Sequence, residues 1–381
     1  MSPPLLHRLS RELSALRSTS RHRALKPAAG VDFTSNDYLG LARHPALAEA
    51  VRAALDRTGT VGSGGSRLLR GNHPEHEALE AAAAKFFGSE SALYCASGFD
   101  ANLALFSTLP SRRGAIVLDE RVHASVKEGA RASFAKKYTA RHNDLASFDA
   151  ALTKARAAGV HDVFMAVESV YSMDGDRAPL AALLALAESH EATLVVDEAH
   201  ATGLFGPHGR GLCEGMKSPL LVCVHTASKA LGASGALVSG SRLVTEYLVN
   251  AARPFIYSTA PSPLIAAAVR RALALIDEEP WRRERVHSLV KAARRLLPPS
   301  LSRWTLGGEL TPILPVFIGA EDAALSAARY VSERGLDVRA IRPPTVPEGT
   351  SRLRLSLNAG LDESDLVRLA KALKAAEADG A

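Results

Sequence analysis

The sequence predicts an α/β fold: a mostly parallel central sheet with helices on both faces, followed by a small C-terminal α+β domain. Three observations carry this. Short apolar runs alternate with helical patterns from residue 92 to 240, as a parallel sheet with crossover helices requires. Two of those runs, residues 193–196 and 220–224, are apolar throughout and suit strands buried on both faces; each ends abruptly in polar residues. Beyond Pro298-Pro299 strands and helices follow in mixed order.

The elements follow in order. Residues 3–18 read as an amphipathic helix, with leucines at 5, 6, 9, 13 and 16. Arg21, His22, Arg23 and Lys26 then form a basic hinge, a cluster that is ordinarily a solvated face. Residues 33–40 (FTSNDYLG) are a polar turn between apolar anchors, and 45–57 return to helical spacing. The glycine-rich stretch 60–67 is not a dinucleotide loop, because its spacing is not GxGxxG and no apolar strand precedes it. Residues 73–87 form a helix with four consecutive alanines. Ser97 and Gly98 open the next helix, where free backbone N–H groups and the helix dipole attract a phosphate. A strand over 115–118 ends in Asp119, and His123 begins another helix, placed to be a structural residue or to stack on a flat ring. A strand over 163–167 ends in Glu168, and Pro179 starts a helix.

A proline-rich connection, residues 253–263, leads into helices over 262–277 and 281–297. The rest reads as strand 311–318, helix 322–335, strands 337–341 and 351–357, and helix 362–377. In the last strand Leu353, Leu355 and Leu357 alternate with Arg352, Arg354 and Ser356. That describes either a surface strand with a wet face or an arginine that takes a carboxylate bidentately. The domains expected are an N-terminal helix and substrate-binding segment (1–45), a large domain (46–280) and a small one (281–381).

Composition limits the function classes. With 381 residues, 47% hydrophobic and 23% charged, the chain is an ordinary globular protein. Its 46 basic and 40 acidic residues leave a formal charge of +6, and residues 1–30 hold six Arg or Lys against one acid, Glu12. No basic tract is long enough, or interleaved with aromatics, for nucleic acid, so the excess points to anionic small molecules. Three widely spaced cysteines without CxxC pairing argue against a disulfide framework or a zinc site and suit a reducing cytoplasm. No run of eighteen apolar residues exists and no signal-peptide core is seen, so no membrane is expected.

The chemistry sits at the ends of the two apolar runs. The first ends in Asp197-Glu-Ala-His200, and the second runs on to His225-Thr-Ala-Ser-Lys229. In open α/β sheets ligands bind at the carboxyl ends of strands. A lysine that forms a Schiff base and a carboxylate that pairs with a pyridinium nitrogen are what pyridoxal phosphate (PLP) catalysis needs. The nearby negative charge keeps that nitrogen protonated. Alone, the two residues also read as a solvated loop lysine and a helix-capping aspartate.

The stretches FTSNDYLGL, GSGGSRLLRG, SGFDAN, SMDGD, VDEAHATG, TASKALG and IRPPTVPEGTSRLRLSL occur in this order from about residue 20 to the end. Together they resemble the α-oxoamine synthases, fold-type I PLP-dependent enzymes with the aminotransferase class I/II fold. The resemblance implies that Lys229 bonds the cofactor aldehyde and later shuttles the α-proton, that Asp197 pairs with the pyridine nitrogen, and that His200 bonds the ring hydroxyl oxygen. It implies that His123 stacks on the ring near the substrate carboxylate, and that Gly98, Phe99, Ser172 and Thr226 contact the cofactor, Thr226 near its phosphate. Arg21 and Thr345 match acyl-substrate positions, Arg354 the position that holds the amino acid carboxylate, and Asn36 a further active-site position. Ser258 and Thr259 match residues donated across a homodimer interface.

Within that family the closest likeness is to the biotin-pathway branch. It implies an acyltransferase that condenses L-alanine with a pimeloyl thioester, on acyl-carrier protein (ACP) or coenzyme A. Siblings of the glycine C-acetyltransferase, 5-aminolevulinate synthase or serine palmitoyltransferase type share the cofactor residues; a non-catalytic partner subunit would lack the lysine. Two departures stand out. The stretch from Lys26 to Phe33 is short, which leaves Arg21 and Arg23 both open as the acyl contact. Ala227 and Ser228 precede the lysine where relatives often carry bulkier residues or glycine.

Overall fold

The protein is described by a computed structural model covering residues 4–380; Pro3, the expected start of the first helix, lies outside the described residues. In chain order the strands are β1 (Val31–Asp32), β2 (Ser91–Cys95), β3 (Ala115–Asp119), β4 (Lys136–Ala140), β5 (Val163–Glu168), β6 (Thr193–Asp197), β7 (Leu221–Thr226), β8 (Ala236–Gly240), β9 (Thr305–Leu306), β10 (Ile313–Gly319), β11 (Leu336–Asp337), β12 (Arg339–Ile341) and β13 (Ser351–Ser356). The chain divides into two compact units: residues 36–172 with 176–285, and residues 4–35 with 173–175 and 286–380.

The larger unit is built on a seven-stranded sheet of order β2-β8-β7-β6-β5-β3-β4. Every neighbouring pair is parallel except those of β8, which runs antiparallel to both β2 and β7. This is the mostly parallel sheet expected. The apolar runs become strands because both of their faces are covered. Ala115, Val117, Val163, Met165, Leu194, Val196, Leu221 and Cys223 enter one buried cluster. The residues between them (Ile116, Leu118, Phe164, Ala166, Val195, Val222, Val224) enter another, as period-two alternation dictates. β7 runs two residues beyond the apolar run, so His225 and Thr226 lie inside the strand. His225 is buried, stacked on Phe87 at 3.5 Å, and bonded to Thr202 Oγ1 (2.9 Å) and Ser239 Oγ (3.0 Å).

Helix starts follow capping chemistry. His44 and His73 each cap a helix that begins with proline, accepting a backbone N–H two residues on. Ser97 caps Gly98–Thr108 by accepting from Asp100 N. Pro179 stands at the cap of Leu180–Ser189, one position before the first helical residue.

The smaller unit contains a four-stranded antiparallel sheet of order β12-β13-β10-β9. β1 pairs in parallel with β11, Phe33 O accepts from Ser356 N (2.8 Å), and Asp32 O accepts from Asn358 Nδ2 (2.9 Å). These bonds are why the N-terminal segment groups with the C-terminal residues rather than standing apart as residues 1–45. The other expected boundary, at 281, falls five residues on, inside the helix Trp281–Leu296. The helix Pro4–Ser18 forms as the leucine spacing predicts but buries none of its residues. The wet-face reading of β13 is corrected. The strand is interior to its sheet and every residue is buried, Arg352 to 3% and Arg354 to 7% exposure. Arg352 is neutralised by Asp174 (2.7 Å) and lies over the Phe317 ring, and Arg354 Nη1 donates to Ser356 Oγ (2.7 Å).

Candidate active site

Four adjacent parallel strands, β3, β5, β6 and β7, end in Asp119, Glu168, Asp197 and Thr226 along one sheet edge. β2 has the same sense as β7, so the turn at Ser97 leaves the sheet on that edge too. Gly98, Phe99, His123, Ser172, Asp197, His200, Thr226 and Lys229 lie at or within four residues of those strand ends.

Asp197 is buried and held by two donors: Ala199 N to Oδ1 (3.0 Å) and Asn102 Nδ2 to Oδ2 (2.8 Å). The second amide hydrogen of Asn102 goes to Ser125 Oγ (3.0 Å), which in turn lies 2.8 Å from His123 Nδ1. His123 also caps the helix Ala124–Ala132, its Nδ1 accepting from Ser125 N (3.2 Å). An accepting Nδ1 leaves the proton on Nε2. Burial lowers the His123 pKa, with the charge of Asp197 opposing the shift and that of Lys229 adding to it. Asn102 thus links Asp197 to His123 by way of the Ser125 hydroxyl.

Lys229 follows β7 on a turn closed by Gly232 and Gly235, whose φ values of 61° and 98° lie in the region open to glycine. Its Nζ lies 2.8 Å from His200 Nε2, and His200 Nδ1 lies 2.7 Å from Tyr38 Oη. The Tyr38 hydroxyl donates to Asn36 Oδ1 (3.2 Å). One consistent set of protons runs through these contacts: Lys229 donates to Nε2, the Nδ1–H donates to the tyrosine oxygen, and the tyrosine donates to Asn36.

Gly98 faces Thr226: a Cβ on Gly98 would come within 3.3 Å of Thr226 Oγ1. Thr226 Oγ1 is also 3.0 Å from Ser228 Oγ. The first N–H groups of the helix Gly98–Thr108 and these two hydroxyls form a cradle of phosphate chemistry. Phe99 is 45% exposed beside it. Ser172 N donates to Glu168 Oε2 (3.3 Å). Glu168 is buried next to Asp197 in the sheet; burial, then the Asp197 charge, raise its pKa to about 8. Ser258 and Thr259 lie on an exposed stretch of the proline-rich connection.

Arg21, Thr345 and Arg354 belong to the smaller unit. Arg21 is held by Glu321 through Nε (3.1 Å) and Nη2 (2.7 Å) and by Glu348 (3.2 Å). Thr345 Oγ1 accepts from Arg23 Nη2 (3.3 Å), so Arg23 is the hinge arginine beside it. Sequence reasoning missed Tyr38, Asn102, Ser125 and any role for Glu168. A signal existed for Asn102, an amide on the otherwise apolar face of Ala101, Ala104 and Leu105.

The sequence model of the aminotransferase class I and II family matches residues 28–373. The chain belongs to that family. Among its relatives in the class I and II aminotransferase family, the 8-amino-7-oxononanoate synthases of Burkholderia mallei (strain SAVP1) and Burkholderia pseudomallei (strain K96243) are each 44% identical over 360 residues. The match covers 92% of this chain and 90% of theirs. A serine palmitoyltransferase from S. paucimobilis with bound PLP superposes with a TM-score of 0.89 at 28% identity, covering 100% of this chain and 99% of that one. An 8-amino-7-oxononanoate synthase from Francisella tularensis does so at 0.77 and 28% identity, covering 92% and 98%.

PLP is this family member's cofactor, and the residues fit it. A buried carboxylate held by two N–H donors suits a ring nitrogen that carries a proton. A lysine one strand over suits the aldehyde, and the glycine at the helix start leaves space that a methyl group would take.

Proposed function

We propose that the chain condenses L-alanine with a pimeloyl thioester to give 8-amino-7-oxononanoate, carbon dioxide and the free thiol carrier, a step of biotin biosynthesis. The reading is carried by one observation: 44% identity over 92% of the chain to enzymes of that name, in a chain whose acid and lysine close adjacent strand ends. Bound PLP supplies an electron-withdrawing ring that accepts negative charge from the substrate α-carbon.

The protein's own residues do the rest. Asp197, immobilised by Asn102, would face the ring nitrogen and keep it protonated, with His123 stacked on the ring. Gly98, Phe99, Ser172 and Thr226 would hold the cofactor. Lys229 would hold its aldehyde and, once displaced by alanine, take the α-proton and later return one; His200 beside Nζ fixes where that amine sits. Arg354 would take the alanine carboxylate, and Arg21 or Arg23 with Thr345 and Asn36 the acyl substrate. In balance, a bond forms between the alanine α-carbon and the thioester carbonyl, the C–S bond breaks, and the α-carboxylate leaves as carbon dioxide.

A homodimer suits the exposed Ser258 and Thr259, which one protomer would offer to its partner's site. Three free, buried cysteines accord with a cytoplasmic setting. Among the described residues, no helix is long and apolar enough to cross a membrane.

The test is product detection by mass spectrometry from alanine, glycine or serine with pimeloyl thioesters. Alanine is expected to be preferred and Lys229→Ala to remain folded without turnover. Preference for glycine or serine would move the reading to a sibling synthase, and wild-type turnover by Lys229→Ala would remove the lysine's role.

A further inference from the structure

Most of the basic hinge is exposed, as a solvated face would be, and Arg21 alone is half-buried. Arg21 is taken up by Glu321 and Glu348. His22, Arg23 and Lys26 instead line an open cavity of about 510 Å³ within the smaller unit, together with Arg329, Arg339 and Arg342. Glu333 is the one carboxylate among the described lining residues. The floor between the charges is apolar, from Leu325, Ala328 and Val338.

Two of the cations are already engaged, Arg339 with Asp337 (2.9 Å) and Arg23 with the Thr345 hydroxyl (3.3 Å). Arg342 is placed differently. Its Nη1 is buried and meets no hydrogen-bond acceptor among the described residues. A buried guanidinium N–H without an acceptor is costly. Glu321 acts on Arg342 through its charge but is paired with Arg21, and Glu333 is outnumbered by the cations that line the cavity with it. An anion brought from outside would supply the missing acceptor. Guanidinium forks and an ammonium match phosphate oxygens. The cavity far exceeds a lone phosphate, and its apolar floor suits a chain attached to one.

We propose that this cavity binds the phosphate ester of the thioester's pantetheine arm, the group that coenzyme A and a carrier protein share. The inference rests on the acyl-thioester reading above and deepens it: the same hinge that sets Arg23 on Thr345 also supplies the charge that holds the carrier. Lys26 and Arg342 bind the phosphate.

The experiment uses the PLP-loaded protein and the double variant Lys26→Gln/Arg342→Gln, with Arg342→Lys as the charge-keeping control. Binding of inorganic pyrophosphate and of coenzyme A is measured by calorimetry at low and high salt. KM and kcat are measured with pimeloyl-coenzyme A and pimeloyl-ACP. The double variant is expected to bind both small probes about tenfold more weakly with a flatter salt dependence. It should raise the thioester KM by a similar factor, while kcat, the alanine KM and the absorbance band of the bound cofactor stay as in wild type. Arg342→Lys should recover most of the affinity.

Unchanged affinity for pyrophosphate and coenzyme A overturns the proposal. A loss confined to the carrier protein also overturns it, in favour of a protein-docking face. If the wild type turns over no pimeloyl thioester, the functional reading fails instead; retained, Lys26- and Arg342-dependent pyrophosphate binding would still sustain the anion site.

Discussion

At the residue scale, Tyr38 is the group on which His200 depends. Its oxygen accepts the Nδ1 proton, which leaves Nε2 as the acceptor facing Lys229. Tyr38→Phe removes that partner and lets the imidazole reverse its proton. We expect kcat to fall about tenfold, the worth of a hydrogen bond of about 1.4 kcal/mol, with the alanine KM changed less than twofold. The pH midpoint of the cofactor's absorbance band should move as well. An unmoved midpoint with full kcat would show that Tyr38 only fills space. Glu168 makes a different prediction. Its acid is pushed up to about 8 by burial and by Asp197, so between the ordinary carboxylate value and about 8 the unfolded chain binds fewer protons than the folded one. Stability from this group is then full at low pH and declines as pH rises through that window. Glu168→Gln removes the decline, so its melting temperature should gain on wild type from pH 5 to pH 8.5. Parallel profiles would contradict the protonated acid.

At the scale of elements, the strand ends were legible in the sequence and the bonds between them were not. Buried strands announce themselves as apolar runs, and Asp197 and Lys229 stood out because polarity broke the runs at those points. β13 misled because strict alternation is the pattern of a half-wet strand; only the neighbouring β10 and β12, Asp174 and the Phe317 ring show that both faces are covered. Asn102 and Tyr38 were hidden for the opposite reason. Each occupies a position that an apolar residue fills equally well by periodicity, and its partners lie 95 and 162 residues away. The short edge strand β4, polar on most of its length, gave no periodic signal at all. The turn after β7 can be tested as an element. Gly235 adopts φ 98°, and a Cβ there would press into the ring of the fully buried Tyr94. Gly235→Ala is expected to cost about 3 kcal/mol from backbone strain and overpacking together, read as a lowered denaturant midpoint. A midpoint within error of wild type would mean that the turn relaxes freely.

At the scale of the whole molecule, the dimer proposal makes the active centre a shared property. If Ser258 and Thr259 serve the partner's site, a mixture of Lys229→Ala chains with Ser258→Ala/Thr259→Ala chains should regain activity. One of the two sites in each mixed dimer would then receive intact residues from both. About a quarter of wild-type activity is expected after random reassortment, since half of the dimers are mixed and each has one whole site. No recovery, with mixed dimers demonstrated by sedimentation, would confine each site to one chain. The large sheet carries a further consequence at its border. β4 closes one end of the sheet, and its outer residues Lys136, Lys137 and Thr139 are exposed. A bare strand edge invites another chain to add itself by backbone pairing, and two ammonium groups make that addition unfavourable. The long-term colloidal behaviour of the protein therefore hangs on a pair of amines far along the sheet from its chemistry. Replacing them, as in Lys136→Ser/Lys137→Ser, would leave the groups at the strand ends in place and still turn the border into a template for aggregation.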